Sequence, residues 1–354
     1  MINAYCPFFG RLSFAQHARG FIRALNRITA VGLIPFRAAK GAVDDEVREM
    51  LARGRTPDLR QPGLSIGAIY DLPRAAGAWR IGFTVWETTR LPPAHMAALR
   101  ELDEVWTPSS WGRRVLIDSG LAEERVRVVP EGVDPDVFRP CSGRRGSNGP
   151  FRFLCVGRWS IRKGVDELVR AFSEEFAPHE DVELVLHCAF AGDTGADLPA
   201  RIAKAAPAAH APIVPSGPRA QPEMAALYQS CDAFVLPTRG EGWGLPIVEA
   251  MACGLPVITT GYSAPADYLD EAIAYPLRVA KLEDVNAPAY DRGAGQWALP
   301  DFAHLRALMR HVFENREEAR AKGARAAETV RRDWTWARAA ETAYALLCDR
   351  IVHA

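Results

Sequence analysis

Short apolar runs alternate with segments of helical period along the chain. Three runs in its first part have the character of buried strands, at residues 64–70, 81–86 and 104–109, and a fourth follows at residues 126–134. Helical segments lie between them, and the one over residues 109–120 begins with a serine that can cap a helix and ends in glycine. The alternation predicts a parallel sheet with helices on both faces.

A polar interruption divides the chain. Residues 139–150, RPCSGRRGSNGP, offer little to a core and are typical of a linker. Strand-like runs then restart at residues 151–157, 182–190, 232–238 and 255–260. We therefore predict two α/β domains, residues 1–142 and 143–332, with ligands bound beyond the carboxyl ends of their strands. Residues 281–300 are irregular and predict a surface loop, and residues 333–354 predict a terminal helix.

Composition and charge narrow the classes of function. The chain has 354 residues, 48% of them hydrophobic, which suits two domains better than one core. Its 43 basic residues balance 43 acidic ones, so there is no net field to attract nucleic acid, and we expect no such partner. Seven cysteines without C-x-x-C spacing indicate reduced thiols in a cytoplasmic protein. No apolar stretch approaches the ~20 residues of a membrane span, so any membrane contact would be peripheral.

A glycine-rich loop, RGEGWG at residues 239–244, follows one predicted strand and precedes a helix that starts near Pro246. Free N–H groups and the positive end of a helix dipole suit this place to an anion, and glycine lets a ligand approach the backbone. The loop and helix start, with Gly242, Gly244 and Leu245, therefore predict a phosphate site.

Two carboxylates flank this loop and would repel a phosphate, so they need another partner. Glu241 and Glu249, as ionised acceptors, match sugar hydroxyls on either side of the phosphates. A second motif, VGRWSIRKG at residues 156–164, supplies Arg158 and Lys163, whose charges can neutralise a diphosphate. Neither motif is a triphosphate loop or a dinucleotide fingerprint. The residues together point to a nucleotide sugar.

These motifs resemble the signature of the family 4 retaining glycosyltransferases. The resemblance rests on PTRGEGWGLPIVEAMACGLPVITT and VGRWSIRKG, and it extends to WETTRLPPAHMAALRELDEVWTPSSWGRRV and VRVVPEGVDPDVFRP, so it covers most of the chain. It implies an α/β protein of the GT-B fold: two Rossmann-like domains with parallel sheets facing a central cleft. The motif DWTWARAA, residues 333–340, resembles the region before a terminal helix that packs back on the N-terminal domain.

The resemblance also assigns roles. It implies that Arg158 and Lys163 contact the donor diphosphate, with amides around Gly244 and Leu245. Glu249 would bind the ribose hydroxyls, and Glu241 the transferred sugar. The base would be held by the regions HCAF and VPSGP, residues 187–190 and 214–218. The first domain would bind the acceptor, with Gly10 facing the diphosphate.

Some positions keep two interpretations. Glu87 stands where relatives often have a histidine, and it would either orient or deprotonate an acceptor hydroxyl or cap the following helix. Trp243 either stacks on a ligand or anchors its loop. A basic stripe, Arg19, Arg23 and Arg27, is a solvated helix face or attracts anionic lipid or a phosphorylated acceptor. His17 is a cleft residue or, as is commoner, packs or caps.

We therefore expect a retaining, metal-independent hexosyltransferase with a UDP- or GDP-sugar donor, no cofactor, and an acceptor in polysaccharide, glycolipid or other glycoconjugate synthesis. The histidines and cysteines form no compact ligand set, so no metal is expected. The alternatives on the same fold are a nucleotide-sugar epimerase, a phosphorylase and a non-catalytic nucleotide-sugar-binding subunit.

Overall fold

The computed structural model describes residues 1–10, 13–39, 41–141, 149–188, 198–206, 213–215, 219, 221–287, 290 and 293–353. The chain divides into two compact units. Unit 1 comprises Met1–Asp134, Pro288–Gly295 and Trp334–Ala354, and unit 2 comprises Pro135–Ala287 and Gln296–Asp333. The change from unit 1 to unit 2 precedes the predicted linker, of which residues 142–148 lie outside the described part.

Unit 1 is built on a parallel sheet of six strands. The strands are β1 (Ile2–Cys6), β2 (Val31–Pro35), β3 (Gly63–Ile66), β4 (Arg80–Phe83), β5 (Glu104–Thr107) and β6 (Val126–Val128), in the spatial order β2-β1-β3-β4-β5-β6. The helices between them are α1 (Ser13–Asn26), α2 (Asp45–Gly54), α3 (Pro93–Arg100) and α4 (Ser110–Asp118). The predicted parallel α/β architecture is confirmed for this unit.

Local sequence explains two of these elements. Helix α4 begins where Ser109 accepts a hydrogen bond from the Gly112 N–H, which is the predicted cap. The run at residues 64–70, predicted as one strand, ends as a strand at Ile66 and continues as a 3₁₀ turn, Ile69–Arg74. Ile69 is buried in that turn, and a short apolar run does not distinguish a strand from a buried helical turn.

Unit 2 has a second parallel sheet of six strands. They are β7 (Phe151–Val156), β8 (Val182–His187), β9 (Ile213–Pro215), β10 (Ala233–Leu236), β11 (Val257–Thr260) and β12 (Tyr275–Leu277), in the order β12-β11-β10-β7-β8-β9. The helices among them are α5 (Val165–Glu175), α6 (Leu198–Ala205), α7 (Gln221–Gln229) and α8 (Leu245–Ala252). The prediction of a second α/β domain is likewise confirmed.

The prediction of a surface loop over residues 281–300 is wrong at both ends. Strands β13 (Val279–Asp284) and β14 (Gln296–Pro300) form an antiparallel pair, with Glu283 opposite Trp297. Trp297 is buried whereas β13 is largely exposed, so the hairpin has one apolar side carried mostly by its second strand. The sequence of β13 has no clear alternation of apolar and polar residues, so the pattern does not predict a strand there.

Two helices, α9 (Phe302–Glu314) and α10 (Arg316–Asp333), complete unit 2, and α11 (Trp336–His353) returns to unit 1. Trp336 of α11 lies against Gly20 of α1, where an added Cβ would be 2.3 Å from the indole. His17 is buried, stacks on Trp336 and places Nδ1 3.0 Å from Glu131 Oε1. His17 therefore packs, as the commoner interpretation expects.

The basic stripe on α1 is partly neutralised within unit 1. Arg19 donates to the carbonyls of Phe8 and Gly10, and Arg23 pairs with Asp44 and Glu46. The carbonyl groups do not cancel the Arg19 charge, so attraction of the stripe to an anionic surface stays a prediction. In the described part of the chain, every helix is too short or too polar to cross a lipid bilayer.

Candidate functional site

Two motifs that are distant in sequence meet at one edge of the unit 2 sheet. Strands β7 and β10 are parallel neighbours, so their carboxyl ends lie side by side. The motif VGRWSIRKG follows β7 and the loop RGEGWG follows β10. The edge beyond the carboxyl ends of parallel strands is the usual place for a ligand in such folds.

A buried charge cluster joins the two motifs. Lys163 Nζ donates to Glu241 Oε1 at 2.6 Å, and Arg162 Nη1 lies 3.1 Å from Glu241 Oε2. Lys163 is 7% exposed and Glu241 4% exposed, so solvent screens this interaction weakly. We call Arg162, Lys163 and Glu241 the charge cluster.

The protonation of Glu241 follows from its two partners. Burial opposes ionisation of the carboxyl, but the positive charges of Lys163 and Arg162 outweigh it and lower the pKa of Glu241 to about 2. Glu241 is therefore ionised near neutral pH. With two cations and one carboxylate, the charge cluster has a net positive charge and can accept a further anion.

Close backbone contact fixes Lys163. It ends a 3₁₀ turn, Ile161–Lys163, and is followed by Gly164 at φ 67°, in the left-handed region. A Cβ at Gly164 would be 2.3 Å from the carbonyl oxygen of Pro237, which follows β10. A side chain at Gly164 would thus push the lysine turn away from the glycine loop.

Ser263 holds the backbone of the glycine loop. The Glu241 N–H donates to Ser263 Oγ at 2.9 Å. Ser263 itself has φ 59°, the one positive value among non-glycine residues in the described part of the chain. Such a conformation is costly unless its surroundings impose it, and strained residues concentrate at functional sites.

Arg239, at the start of the loop, is a structural connector. It is 5% exposed, pairs with Glu167 at 2.7 Å and Glu283 at 3.0 Å, and donates to the Ile161 carbonyl at 2.5 Å. Its contacts therefore reach helix α5, the β13–β14 hairpin and the turn that carries Lys163. Arg239 ties the glycine loop to three neighbouring elements.

The loop ends at the N-terminus of helix α8. Gly244 is the N-cap residue at φ 99°, and a Cβ there would be 2.8 Å from the Ile247 side chain. Gly242 and Leu245 are buried beside it, and Pro246 occupies the first turn, where a missing N–H costs little. The first-turn amides of α8 are the anion-binding groups that the sequence predicts here.

Trp243 packs within unit 2. Its side chain is 2% exposed, its ring lies 5.0 Å from that of Tyr268, and its carbonyl accepts the Tyr268 hydroxyl at 2.8 Å. These contacts match the interpretation in which Trp243 anchors its loop. A direct contact with a substrate stays a prediction.

Glu249 lies on α8 and is also buried. Its Oε2 accepts the Tyr228 hydroxyl at 2.8 Å. Burial and then the adjacent Glu249 charge raise the pKa of Tyr228 well above its usual range, so Tyr228 is a donor to Glu249. The carboxylate that is expected to bind ribose is thereby held in a fixed orientation.

The other predicted site residues are exposed or half-buried. Arg158 is exposed after the end of β7, and Gly10, in unit 1, is exposed, with Arg19 donating to its carbonyl. Glu87, in unit 1, accepts the Tyr290 hydroxyl at 3.4 Å. The interpretation of Glu87 as a helix cap is wrong, because α3 begins after Pro92 with no side-chain cap. In the two regions expected to hold the base, residues 189–190 and 216–218 lie outside the described part.

Sequence reasoning missed four residues of the site. Arg162, Arg239 and Ser263 hold the glycine loop, and Tyr228 orients Glu249. Arg162 and Arg239 had a usable signal, since the first precedes Lys163 in its motif and the second begins the glycine loop. Ser263 and Tyr228 act through contacts with residues that are distant in the chain.

Comparison with known proteins identifies relatives of part of the chain. The family described as glycosyl transferases group 1 matches residues 150–287. The D-inositol 3-phosphate glycosyltransferase 1 of Catenulispora acidiphila is 36% identical over 154 residues, which are 39% of this chain and 36% of that protein. The chain matches between about a third and a half of the length of such curated relatives.

Solved structures match the whole chain. Sucrose-phosphate synthase from Thermosynechococcus elongatus aligns with a TM-score of 0.71 at 15% identity, over 100% of this chain and 99% of that one. Anabaena Alr3699/HepE, in complex with UDP-glucose, aligns with a TM-score of 0.65 at 14% identity, over 100% and 99% of the two chains. At this level of identity the likeness shows the shared fold.

Proposed function

We propose that the chain is a retaining hexosyltransferase, because its residues 150–287 match the glycosyl transferases group 1 family and it has the GT-B fold predicted from its sequence. The donor is a UDP- or GDP-sugar and the acceptor provides a hydroxyl group. The chain's own groups, without a metal, stabilise the leaving diphosphate. Its setting is the synthesis of a polysaccharide, glycolipid or other glycoconjugate in the cytoplasm.

The observation that carries this proposal is the charge cluster at the edge of the unit 2 sheet. Its two cations and one carboxylate leave a net positive charge where the amides of α8 begin. A diphosphate carries the negative charge that these cations attract. Exposed Arg158, after the end of β7, adds a flexible cation for the same group.

The reaction uses this charge in its most difficult step. The bond between the anomeric carbon and the diphosphate oxygen breaks, and its electron pair goes to that oxygen. Arg158, Lys163 and the α8 amides stabilise the charge that develops there, an effect of the oxyanion-hole type. The acceptor oxygen then bonds to the anomeric carbon on the same face, and its proton passes to the leaving phosphate oxygen.

The two glutamates position the donor. Glu241, ionised by its pairing with Lys163, accepts hydroxyls of the transferred sugar, and Glu249, oriented by Tyr228, accepts those of the ribose. Preformed acceptors lose little freedom when the ligand binds. Since the Anabaena neighbour was solved with UDP-glucose, UDP-hexoses are the first donors to test.

The first experiment combines a donor screen with one variant. A nucleotide sugar that binds only the folded protein raises its melting temperature, and release of nucleoside diphosphate then measures turnover. In Lys163→Met, loss of one cation at the leaving group lowers kcat by about 10²- to 10³-fold. Lys281→Met, an exposed lysine on β13, is the matched control and keeps turnover close to wild type.

Product analysis separates the alternatives. Retention predicts that the anomeric configuration of the donor persists in the product, which NMR of the new linkage reports. Consumption of the donor without any acceptor would indicate an epimerase. Donor protection with no diphosphate release across a broad acceptor panel would indicate a non-catalytic subunit. Wild-type turnover in a folded Lys163→Met variant would exclude the assignment.

A further inference from the structure

A group of aromatic side chains lies together on unit 1, and its members differ from the residues assigned above to the donor. Tyr70 and His95 have ring centroids 4.5 Å apart, and Trp86 lies 4.9 Å from His95. Tyr290 lies 6.2 Å from Trp86. We call Tyr70, Trp86, His95 and Tyr290 the aromatic cluster.

The aromatic cluster stands at the ligand-binding edge of its sheet. Tyr70 lies in the turn that follows β3, and Trp86 follows β4, its neighbour in the sheet. Both therefore come directly after the carboxyl ends of parallel strands. In open α/β sheets this edge is where ligands bind, whereas the opposite edge serves the fold.

The cluster is not part of the hydrophobic core. Tyr70 is 59% exposed, and Trp86, His95 and Tyr290 are each partly exposed. Trp86 nevertheless has a fixed position, because its Nε1 donates to the Arg90 carbonyl at 3.0 Å. A large aromatic surface that is both oriented and accessible to solvent is characteristic of recognition rather than of packing.

Polar groups surround the aromatic rings. The Tyr70 hydroxyl lies 3.4 Å from His95 Nδ1, and the Tyr290 hydroxyl donates to Glu87 at 3.4 Å. The cluster thus presents flat apolar faces with hydroxyl, imidazole and carboxylate groups at their rims. The Glu87 carboxylate only accepts hydrogen bonds when ionised, and it disfavours an anionic group beside it.

A sugar ring has the complementary surface. Its C–H groups form apolar faces that pack on aromatic rings, and its hydroxyls project around the rim, where they bond to such polar groups. We propose that the aromatic cluster and Glu87 bind an uncharged saccharide as the acceptor. This inference rests on the proposed function, since it names the acceptor class of a glycosyltransferase.

Within this arrangement Glu87 is a positioning residue. Tyr290 contacts both Trp86 and Glu87, so a ring packed on the indole brings its hydroxyls within reach of the carboxylate. Glu87 replaces the histidine that the family resemblance led us to expect. At this position an ionised Glu87 only accepts hydrogen bonds from the bound saccharide, whereas the expected histidine could also donate one.

Saccharide binding can be measured without the donor. Saturation-transfer NMR with millimolar methyl glycosides of glucose, galactose and mannose is expected to show transfer to the C–H protons of at least one glycoside. In Tyr70→Ala its affinity falls about two- to tenfold, the range measured for one aromatic contact. Tyr344→Ala removes another exposed tyrosine of unit 1, 38% accessible on α11, and keeps the wild-type signal.

Two variants of Trp86 distinguish loss of saccharide binding from misfolding. Trp86→Phe keeps an aromatic face and retains part of the signal, whereas Trp86→Ala loses it, and the melting temperature of each is measured in parallel. Absence of transfer to every glycoside, or the same affinity in Tyr70→Ala as in the wild type, would overturn the inference. Preferential transfer of sugar to D-inositol 3-phosphate, an anionic acceptor, would overturn it too.

Parallel measurements with nucleotide-sugar donors distinguish a failure of this inference from a failure of the proposed function. If UDP- or GDP-sugars raise the melting temperature and are turned over, but the KM for a saccharide acceptor is unchanged in Tyr70→Ala, only the saccharide site is wrong. If no nucleotide sugar binds or reacts, the proposed function itself fails. A several-fold rise in acceptor KM with unchanged kcat and unchanged donor KM supports both.

Discussion

The glycine loop of unit 2 and the aromatic cluster of unit 1 are built in opposite ways. In the loop and in the lysine turn that it contacts, charged side chains are almost fully buried: Arg239, Glu241 and Lys163 are 5%, 4% and 7% exposed, and each has an ionic partner. In the aromatic cluster the most exposed member, Tyr70, is 59% accessible and contacts the His95 side chain.

The difference matches two kinds of ligand. A diphosphate needs fixed charges and amides, and a preorganised site avoids the cost of ordering them when the ligand binds. The proposed saccharide acceptor has apolar C–H faces, which pack on exposed rings without any fixed charge. We therefore expect substitutions in the loop to reduce stability together with donor binding, and substitutions in the aromatic cluster to change acceptor binding alone.

The largest effect is expected at Arg239. Arg239→Met removes two ion pairs and a hydrogen bond to the Ile161 carbonyl, and it leaves Glu167 and Glu283 without this partner. Because the guanidinium is buried, we expect the free energy of unfolding to fall by about 3 to 4 kcal/mol. Urea unfolding followed by circular dichroism measures this change.

Arg278→Met provides the matched control in unit 2. The Arg278 side chain is 68% exposed and pairs with Asp301 at 3.3 Å, so its loss should cost less than about 1 kcal/mol. Equal losses in the two variants would mean that burial of the loop charges does not set their contribution. The comparison between the two regions would then lose its physical basis.

A structural feature could be predicted when it depends on neighbouring residues, and could not when it depends on contacts between residues distant in the chain. Buried parallel strands such as β7 and β10 were recognisable because each is a compact apolar run of its own. The β13–β14 hairpin was not, since β13 is mostly exposed and its partner lies more than ten residues away. The sequence therefore did not predict the ion pair between Glu283 of this hairpin and Arg239.

The candidate site shows the same division. Lys163 and Glu241 could be proposed from two short motifs, and the structure brings them into contact. Their mutual pairing was not predicted, because each was assigned to the ligand rather than to the other. Tyr228 and Ser263 carry no local pattern, since a hydrogen bond to a distant residue leaves no mark on spacing.

A smaller and pH-dependent effect is expected at Glu241. Its pKa is about 2 in the folded protein against an ordinary value of 4.5, because Lys163 and Arg162 outweigh the effect of burial. A lowered folded-state pKa stabilises the protein above pH 4.5, and this contribution, at most on the order of 3 kcal/mol, is lost as the pH falls towards 2. Unfolding midpoints of wild type and Glu241→Gln between pH 6 and pH 2 measure it.

In that experiment the difference between the two proteins carries the result. Other carboxylates titrate in both, so their contributions cancel, and only the excess loss in the wild type below pH 4.5 reports Glu241. Glu314→Gln, whose side chain is 59% exposed, should follow the wild-type curve. Parallel curves for Glu241→Gln and wild type would show that the carboxylate is not stabilised by its cationic partners.

The smallest effect is expected at Tyr70, and it tests the other half of the comparison. Tyr70→Ala should change the free energy of unfolding by less than about 0.5 kcal/mol, because the ring is mostly in water. Tyr268→Phe, in unit 2, loses one hydroxyl that donates to the buried Trp243 carbonyl and should cost about 1 to 3 kcal/mol. Thermal and urea unfolding of the two variants give the ranking. If truncating the whole Tyr70 ring costs more than removing that single buried hydroxyl, the aromatic cluster is a packed element of the fold, and its exposure no longer argues for a ligand.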